Sequence, residues 1–472
     1  MVIEDVTVIS PEREQPLRHA DVVLRDGRIA QIAADRVAGP HARRIDGRGR
    51  FLIPGLIDSH VHVGHQGPLD DDAIAAHPEL LAAYRAQLPR AYLAFGFTTL
   101  VDLDLAADTR TWFDAAPVHP RLYHCGRAVR IAGGYGAQRA PADAAKAAAV
   151  NLLHEPAQAE RWPASLDPRD HTPARTVDRV LAAGGICLKV FVEPGFGGAF
   201  HWPVPRPETL AALRDEAHRR GLVFVVHANA TDSWRAALEA RADVIAHGLW
   251  HWPGNAMDPA PPAPAVQAIA AAAQARIAVQ PTLQAVYGDQ SIFDASILDE
   301  PRLGDALPRA VIDHLHGDAA RASRQAIAAD YRRAIAELFG PAVDPAAAMS
   351  VAPARAAATL RAMLAHHVRL LLGSDTPANE GIGNPPGLNG RREIQRWFEA
   401  GAPLSVILRA ATLDNAAAFG LAAQLGSIEV GKRADLLLLR ADPLETVGAY
   451  DAIDAVIVNG EMIARATLAP AR

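Results

Sequence analysis

Residues 56–63 read LIDSHVHV, and this run decides how the rest of the chain is read. It is apolar except for its polar centre, and His60 and His62 are separated by one residue. Side chains two apart on a β-strand point to the same face, so the two imidazoles leave the strand together. A lone pair of this kind also fits two hydrogen-bonded histidines in a sheet. The remainder of the chain separates the two readings.

Seven more short apolar runs repeat the pattern. They are TTLVDLD (98–104), RLYHCG (121–126), ICLKVFVE (186–193), LVFVVHA (222–228), DVIAH (243–247), ARIAVQPT (275–282) and VRLLLGSD (368–375). Longer Ala-rich segments lie between them. One is RPETLAALRDEAHRRG (206–221), with Pro and Glu at its start and Arg-Arg-Gly at its end, as helix termini prefer. Strands alternating with helices indicate parallel β/α units. Runs apolar on both faces are those of a sheet covered on both sides. Eight such units predict an α/β fold, a (β/α)8 TIM barrel.

The two ends of the chain have another texture. Residues 1–52 hold short alternating runs with an Asp26-Gly27 turn, and residues 428–472 hold similar runs with an Asn459-Gly460 turn. Each is too short to bury a sheet face alone. The expectation is one small β-sandwich-like domain built from 1–52 and 428–472, with the barrel occupying 53–427. A Pro-rich loop is expected at 253–265, and residues 301–366 read as a helical insertion over the barrel mouth.

In a barrel the chemistry sits at the C-terminal ends of the strands. His227 closes VFVVH, His247 closes DVIAH and Asp375 closes LLLGSD. Polar groups at the ends of apolar strands cost several kcal/mol if buried without partners. A divalent metal removes that cost, and imidazole and carboxylate are ordinary ligands for zinc and its neighbours. Lys189 sits in the middle of ICLKVFVE. It is either paired with an acid such as Glu193 or modified by carbon dioxide to a carbamate. Burial favours the neutral amine that reacts, and a carbamate could bridge two metals.

Apolar residues make up 50% of the 472, enough for a large core, and the net charge of -6 gives no reason to expect nucleic acid or an anionic membrane as partner. The N-terminus MVIEDVTVIS lacks the basic start and long apolar run of a signal peptide. No run of about 18 apolar residues predicts a membrane span, so the cytoplasm is the default expectation, with a small molecule as partner and room for a homo-oligomer. Cys125 and Cys187 both lie in apolar runs and read as two buried thiols.

The segments FLIPGLIDSHVHVG, ICLKVF, FVVHAN, VIAHG, LLLGSDTP, ATLDNAAAFGL and GSIEVGKRADLLLLRADP, in this order, resemble the amidohydrolase superfamily over nearly the whole chain. The likeness is greatest to the branch of metal-dependent prolidases, Xaa-Arg/Lys dipeptidases and imidazolonepropionase-related proteins, on RLYHCGRAVRIAGGYG and ETLAALRDEAHRRGLVFVVHANATDSWRAALEA. The resemblance implies a binuclear centre. His60, His62 and Asp375 would hold one ion, His227 and His247 the other, and a carboxylated Lys189 would bridge them. Zinc is the first choice, with Mn or Co as alternatives. Imidazolonepropionases lack the bridging lysine, so Lys189 argues against that activity.

This chain departs from the branch at Tyr135, Asn229 and Pro386, where relatives often carry His. Substrates therefore transfer poorly. Trp250, His251 and Trp252 either line an aromatic pocket or pack a loop onto the barrel.

The reaction implied is hydrolysis of a carbon–nitrogen bond, in an amide, dipeptide or N-acyl amino acid, by a metal-bridging hydroxide. Asp375 would shuttle the proton, and Tyr135 would donate a hydrogen bond to substrate or oxyanion. The alternatives are hydrolysis of a cyclic amide, lactone or phosphotriester, or an inactive binding scaffold.

Overall fold

The computed structural model describes residues 1–34, 43–139, 141, 143–196, 200–254, 257–377 and 381–470. Its first five strands are β1 (Val2–Val8), β2 (Leu17–Arg25), β3 (Arg28–Ala33), β4 (Arg44–Asp46) and β5 (Phe51–Pro54). Then come β6 (Leu56–Val61), β7 (Phe97–Asp102) and β8 (Arg121–His124). A short parallel pair comes next, β9 (Arg130–Ile131) with β10 (Leu152–Leu153). Five more are β11 (Cys187–Phe191), β12 (Val223–His227), β13 (Val244–Ala246), β14 (Ala278–Gln280) and β15 (Arg369–Leu370). The chain closes with β16 (Leu436–Leu439), β17 (Ile453–Val458) and β18 (Glu461–Ala464).

All eight sequence runs read as parallel strands form strands, each shorter than its run, with β7 starting one residue earlier, at Phe97. They lie in two parallel sheets, β6-β7-β8 and β11-β12-β13-β14-β15. Helices fill the intervals, among them Pro207–Arg219 and Thr231–Glu239. Hydrogen bonds cross both seams between the sheets. On one side the Ile186 N–H donates to the His124 carbonyl at 2.8 Å, and Val129 bridges Val190. On the other, Ser59 donates to the Leu372 carbonyl and His62 to that of Thr376. Gly373 makes this second approach feasible, because a Cβ there would stand 2.7 Å from the Cβ of His60.

The two-residue period sorts side chains between layers. Cys187, Val225 and Val244 pack in one cluster, while their strand neighbours Leu188, Val226 and Ile245 pack in another. Lys189 and His227, each two residues on, share the face of Cys187 and Val225.

Strands from both ends of the chain share one sheet, in the order β18-β17-β16-β5-β1-β2-β3, with β4 beside β1. The join is β16 antiparallel to β5, Leu437 opposite Ile53. Leu436 and Leu438 belong to the core of this sheet, while Leu437 and Leu439 belong to the large core of the parallel region. One alternating strand therefore fastens the two together.

Two expectations need correction. Cys125 and Cys187 are a disulfide, not two thiols. The first comes just after β8, the second begins β11, and the seam between these strands sets their sulfurs side by side, although 62 residues separate them in sequence. The stretch 253–265 is not loop throughout, because a helix spans Ala263–Gln274; within it, residues 255–256 lie outside those described. The 301–366 segment is helical, with its longest helix at Asp318–Phe339. It touches loops that come after two of the parallel strands. Ser323 donates to Asp70 after β6, and Arg355 donates to the Trp250 and Asp258 carbonyls after β13.

Candidate metal centre

His60, His62 and Asp375 come together at the C-terminal ends of β6 and the β15 run, with one ligand atom from each within 4.8 Å of the others. The Asp375 Oδ1 lies 3.2 Å from His60 Nε2 and 3.0 Å from His62 Nε2. Behind them, the His60 and His247 rings are 4.9 Å apart between centroids, and those of His227 and His247 are 4.4 Å apart. Lys189 is 1% exposed, and its charge acts on His60, His227 and His247. His227, His247 and Lys189 stand near the triad but outside it.

The backbone is bent to deliver these groups. His247 has φ 85° and Asp375 φ 56°, in the left-handed region that L-residues rarely adopt. Strain of this kind, about 1–3 kcal/mol each, concentrates where side chains must be aimed. Thr282, also left-handed at φ 46°, sets its hydroxyl 3.0 Å from His247 Nδ1.

Burial sets the charges. It pushes the His60 imidazolium down to about 3, so the ring is neutral and has a lone pair to offer. It also pushes the Lys189 ammonium down to about 7. For Asp375, burial works the other way, but His60 and His62 outweigh it and hold the carboxyl well below its usual range. The fit to a cation is clearest at His60, which is wholly buried, whose Nδ1 makes no hydrogen bond and whose Nε2 meets only the Asp375 carboxylate, at 3.2 Å and without the direction of a hydrogen bond. Such a group is costly unless something binds it, and neutral imidazole beside carboxylate suits a divalent ion.

Glu193 does not pair with Lys189. Strand β11 ends at Phe191, and Glu193 turns to His227, its Oε2 3.0 Å from Nε2. The same oxygen accepts from Asn229 Nδ2 at 2.7 Å, and Oε1 accepts from the Gly195 and Phe196 N–H groups. Among the described residues, Lys189 has no ion-pair partner. Glu193 and Asn229 were missed as a unit by sequence reasoning. The signal was there in an acid two residues beyond an apolar strand, the pattern already used for the histidines. Tyr135 lies against His227, with centroids 5.7 Å apart. Trp250 is 5% exposed and Arg355 covers Trp252, so these rings pack the loop.

Parallel strands that present this histidine–aspartate cluster define a class. The chain belongs to the amidohydrolase family, whose model matches residues 51–261 and 302–463. An L-hydantoinase of Paenarthrobacter aurescens is 40% identical over 47 residues, 10% of each chain. The chain therefore matches only about a tenth of that curated relative's length. A solved Xaa-Pro dipeptidase with bound methionine superposes at TM-score 0.66 and 19% identity, over 98% of this chain and 99% of that one. The A. niger ochratoxinase superposes at 0.65 and 20% identity, over 98% and 94%. At such identities these structures establish a shared fold and nothing about substrate. Among the described residues, no helix is long and apolar enough to cross a membrane.

Proposed function

We propose that this chain is a metal-dependent hydrolase that cleaves a carbon–nitrogen bond, as in an amide, dipeptide or N-acyl amino acid. The observation that carries the reading is the His60–His62–Asp375 cluster, with a buried imidazole that meets no polar group but its partner carboxylate. The fold is read as a closed (β/α)8 barrel over 53–427, on the hydrogen bonds across both seams. The shared terminal sheet supports one β-domain from 1–52 and 428–472. The branch is that of prolidases and related dipeptidases, in keeping with the dipeptidase among the structural neighbours.

His60, His62 and Asp375 would hold one ion, and His227 and His247 a second, with Lys189 as a bridging carbamate. Zinc is proposed, with Mn or Co as alternatives. Such ions supply Lewis acidity, which polarises a carbonyl and acidifies water.

The chain's own groups do the rest. Asp375, ionised across the neutral range, takes the proton of the attacking water as the oxygen–carbon bond forms. It gives that proton to the leaving nitrogen as the carbon–nitrogen bond breaks. Lys189, with its ammonium depressed to about 7, holds a large neutral fraction near neutrality. That is the form carbon dioxide adds to. Tyr135, partly exposed beside His227, would donate to the substrate carbonyl.

Metal analysis with a panel of N-acyl amino acids, dipeptides, lactones and phosphotriesters tests the proposal. Two equivalents of metal and turnover of an amide are expected. Metal-replete protein that turned over lactones or phosphotriesters but no amide would overturn it.

A further inference from the structure

Next to His227 the molecule carries an aromatic surface, and apart from the Tyr135 hydroxyl the proposed chemistry uses none of it. Tyr135 stands 5.1 Å from Phe191, 5.4 Å from Phe196 and 5.3 Å from Trp202 between ring centroids. Phe200 stacks on Trp202 at 4.6 Å with planes 6° apart. These rings are not core. Phe196 is 37% exposed and Phe200 49%, and Tyr135, Phe191 and Trp202 are half-buried. Large apolar side chains clustered in partial contact with solvent mark binding surface more often than packing.

The cluster is continuous with the candidate centre. Tyr135 and Phe191 both contact the His227 ring, at 5.7 and 5.4 Å. Glu193 links the two regions by hydrogen bonds. One of its oxygens faces His227, and the other accepts from the backbone N–H of Gly195 and Phe196. The backbone at Phe196 and the imidazole thus share one carboxylate.

We infer that Tyr135, Phe196 and Trp202 form a wall that binds a flat apolar group of the substrate, an aryl or comparably planar substituent close to the scissile bond. This rests on the proposed hydrolysis for its catalytic consequence, but the wall itself is a binding surface and can be tested without turnover. Two cations lie against Phe191; Arg130 is committed to Asp104, and Lys189 belongs to the proposed metal centre, so neither gives reason to expect an anionic substituent there.

The test has two arms. In the first, calorimetry compares 2-naphthoate with acetate on wild type and on Trp202→Ala and Phe196→Ala, in metal-replete and chelator-treated protein. Naphthoate should bind tighter than acetate, and each variant should lose about 10- to 100-fold of that affinity, the range one aromatic ring supplies on burial. In the second, the ratio of kcat/KM for N-benzoylglycine to that for N-acetylglycine is measured, and it should fall by a similar factor in the variants, mainly through KM. Naphthoate binding that follows Trp202 without turnover of any amide would sustain the wall and sink the hydrolase reading. Turnover of both glycine derivatives at equal efficiency, with naphthoate no tighter than acetate, would sink the wall alone. A shift of oligomeric state in Phe200→Asp, with naphthoate affinity unchanged in Trp202→Ala, would assign the surface to contact between copies and overturn the inference.

Discussion

The two sides of the candidate centre hold their histidines by different means. On the side of β6 and β15, His60 and His62 face Asp375 and little else, and the His60 nitrogens find no hydrogen bond. On the side of β11 and β12, His227 is already engaged through Nε2 by Glu193, which Asn229 and two backbone N–H groups hold in turn. The first arrangement offers a buried neutral imidazole and a carboxylate as ligands for a cation. The second is pre-built, a carboxylate–histidine pair of the kind that fixes a tautomer and turns the other ring nitrogen toward a metal. The two sides should therefore fail differently when damaged.

The largest effect is expected at Asp375, proposed above as both ligand and proton carrier. Asp375→Asn should lower kcat on an amide by at least the roughly 10⁴-fold upper end of general-base removal. It should also reduce bound metal, so elemental analysis and kinetics are read on the same preparation. Both ions retained with near-normal kcat would mean that another group moves the proton.

Lys189→Ala should cost less, about 10²-fold, and should lower the metal content from two equivalents toward one while sparing the ion held by His60, His62 and Asp375. Partial recovery with a small carboxylic acid would support the carbamate. Two equivalents of metal in the variant would show that the lysine bridges nothing.

Glu193→Gln probes the pre-built side alone. Loss of the carboxylate facing His227 should weaken binding of the second ion about 10–100-fold, with the first ion's affinity unchanged. The imidazole resonances of His227 in metal-free protein should shift as well, which loss of packing elsewhere would not produce. Equal weakening of both ions would erase the distinction between the sides.

The smallest effect concerns acid stability. Burial would raise the carboxyl of Asp104, but the guanidinium charges of Arg130 and Arg127 outweigh it and hold it at about 2. An unfolded aspartate titrates near 3.9. Its contribution to stability is therefore complete above about 4 and lost as pH falls through about 2. Wild type and Asp104→Asn should differ in Tm at pH 6 and converge toward pH 2. A constant difference over that range would contradict the ion pair.

The side of β6 and β15 was the legible one. Period-two spacing in HVH and polar residues closing apolar strands are local signals, and they sufficed to select His60, His62 and Asp375. Pairing of Glu193 with Lys189 stayed open as one of two readings, because a residue four along from Lys189 has the right parity for a strand neighbour. The strand stops at Phe191, and the chain turns before that parity can act. The disulfide was illegible for a related reason. Its partners meet across a seam between sheets, and nothing within either apolar run reports what lies opposite it. Trp250 and Trp252 carried no information on whether a loop would open or pack, since that depended on Arg355, more than a hundred residues away.

The pairing of β5 with β16 bears on how the molecule is made. Residues 51–54 leave the ribosome early, yet their antiparallel neighbour is residues 436–439. At about 5–20 residues per second, the intervening stretch takes about 20–80 s to synthesise. For that time a strand of the nascent sheet has an open edge, the kind of edge that pairs with other chains when left uncovered. The growing polypeptide is thus most at risk of self-association while its parallel region is being completed, and a chaperone that shields residues 51–54 should raise the yield of folded protein more than one acting after release.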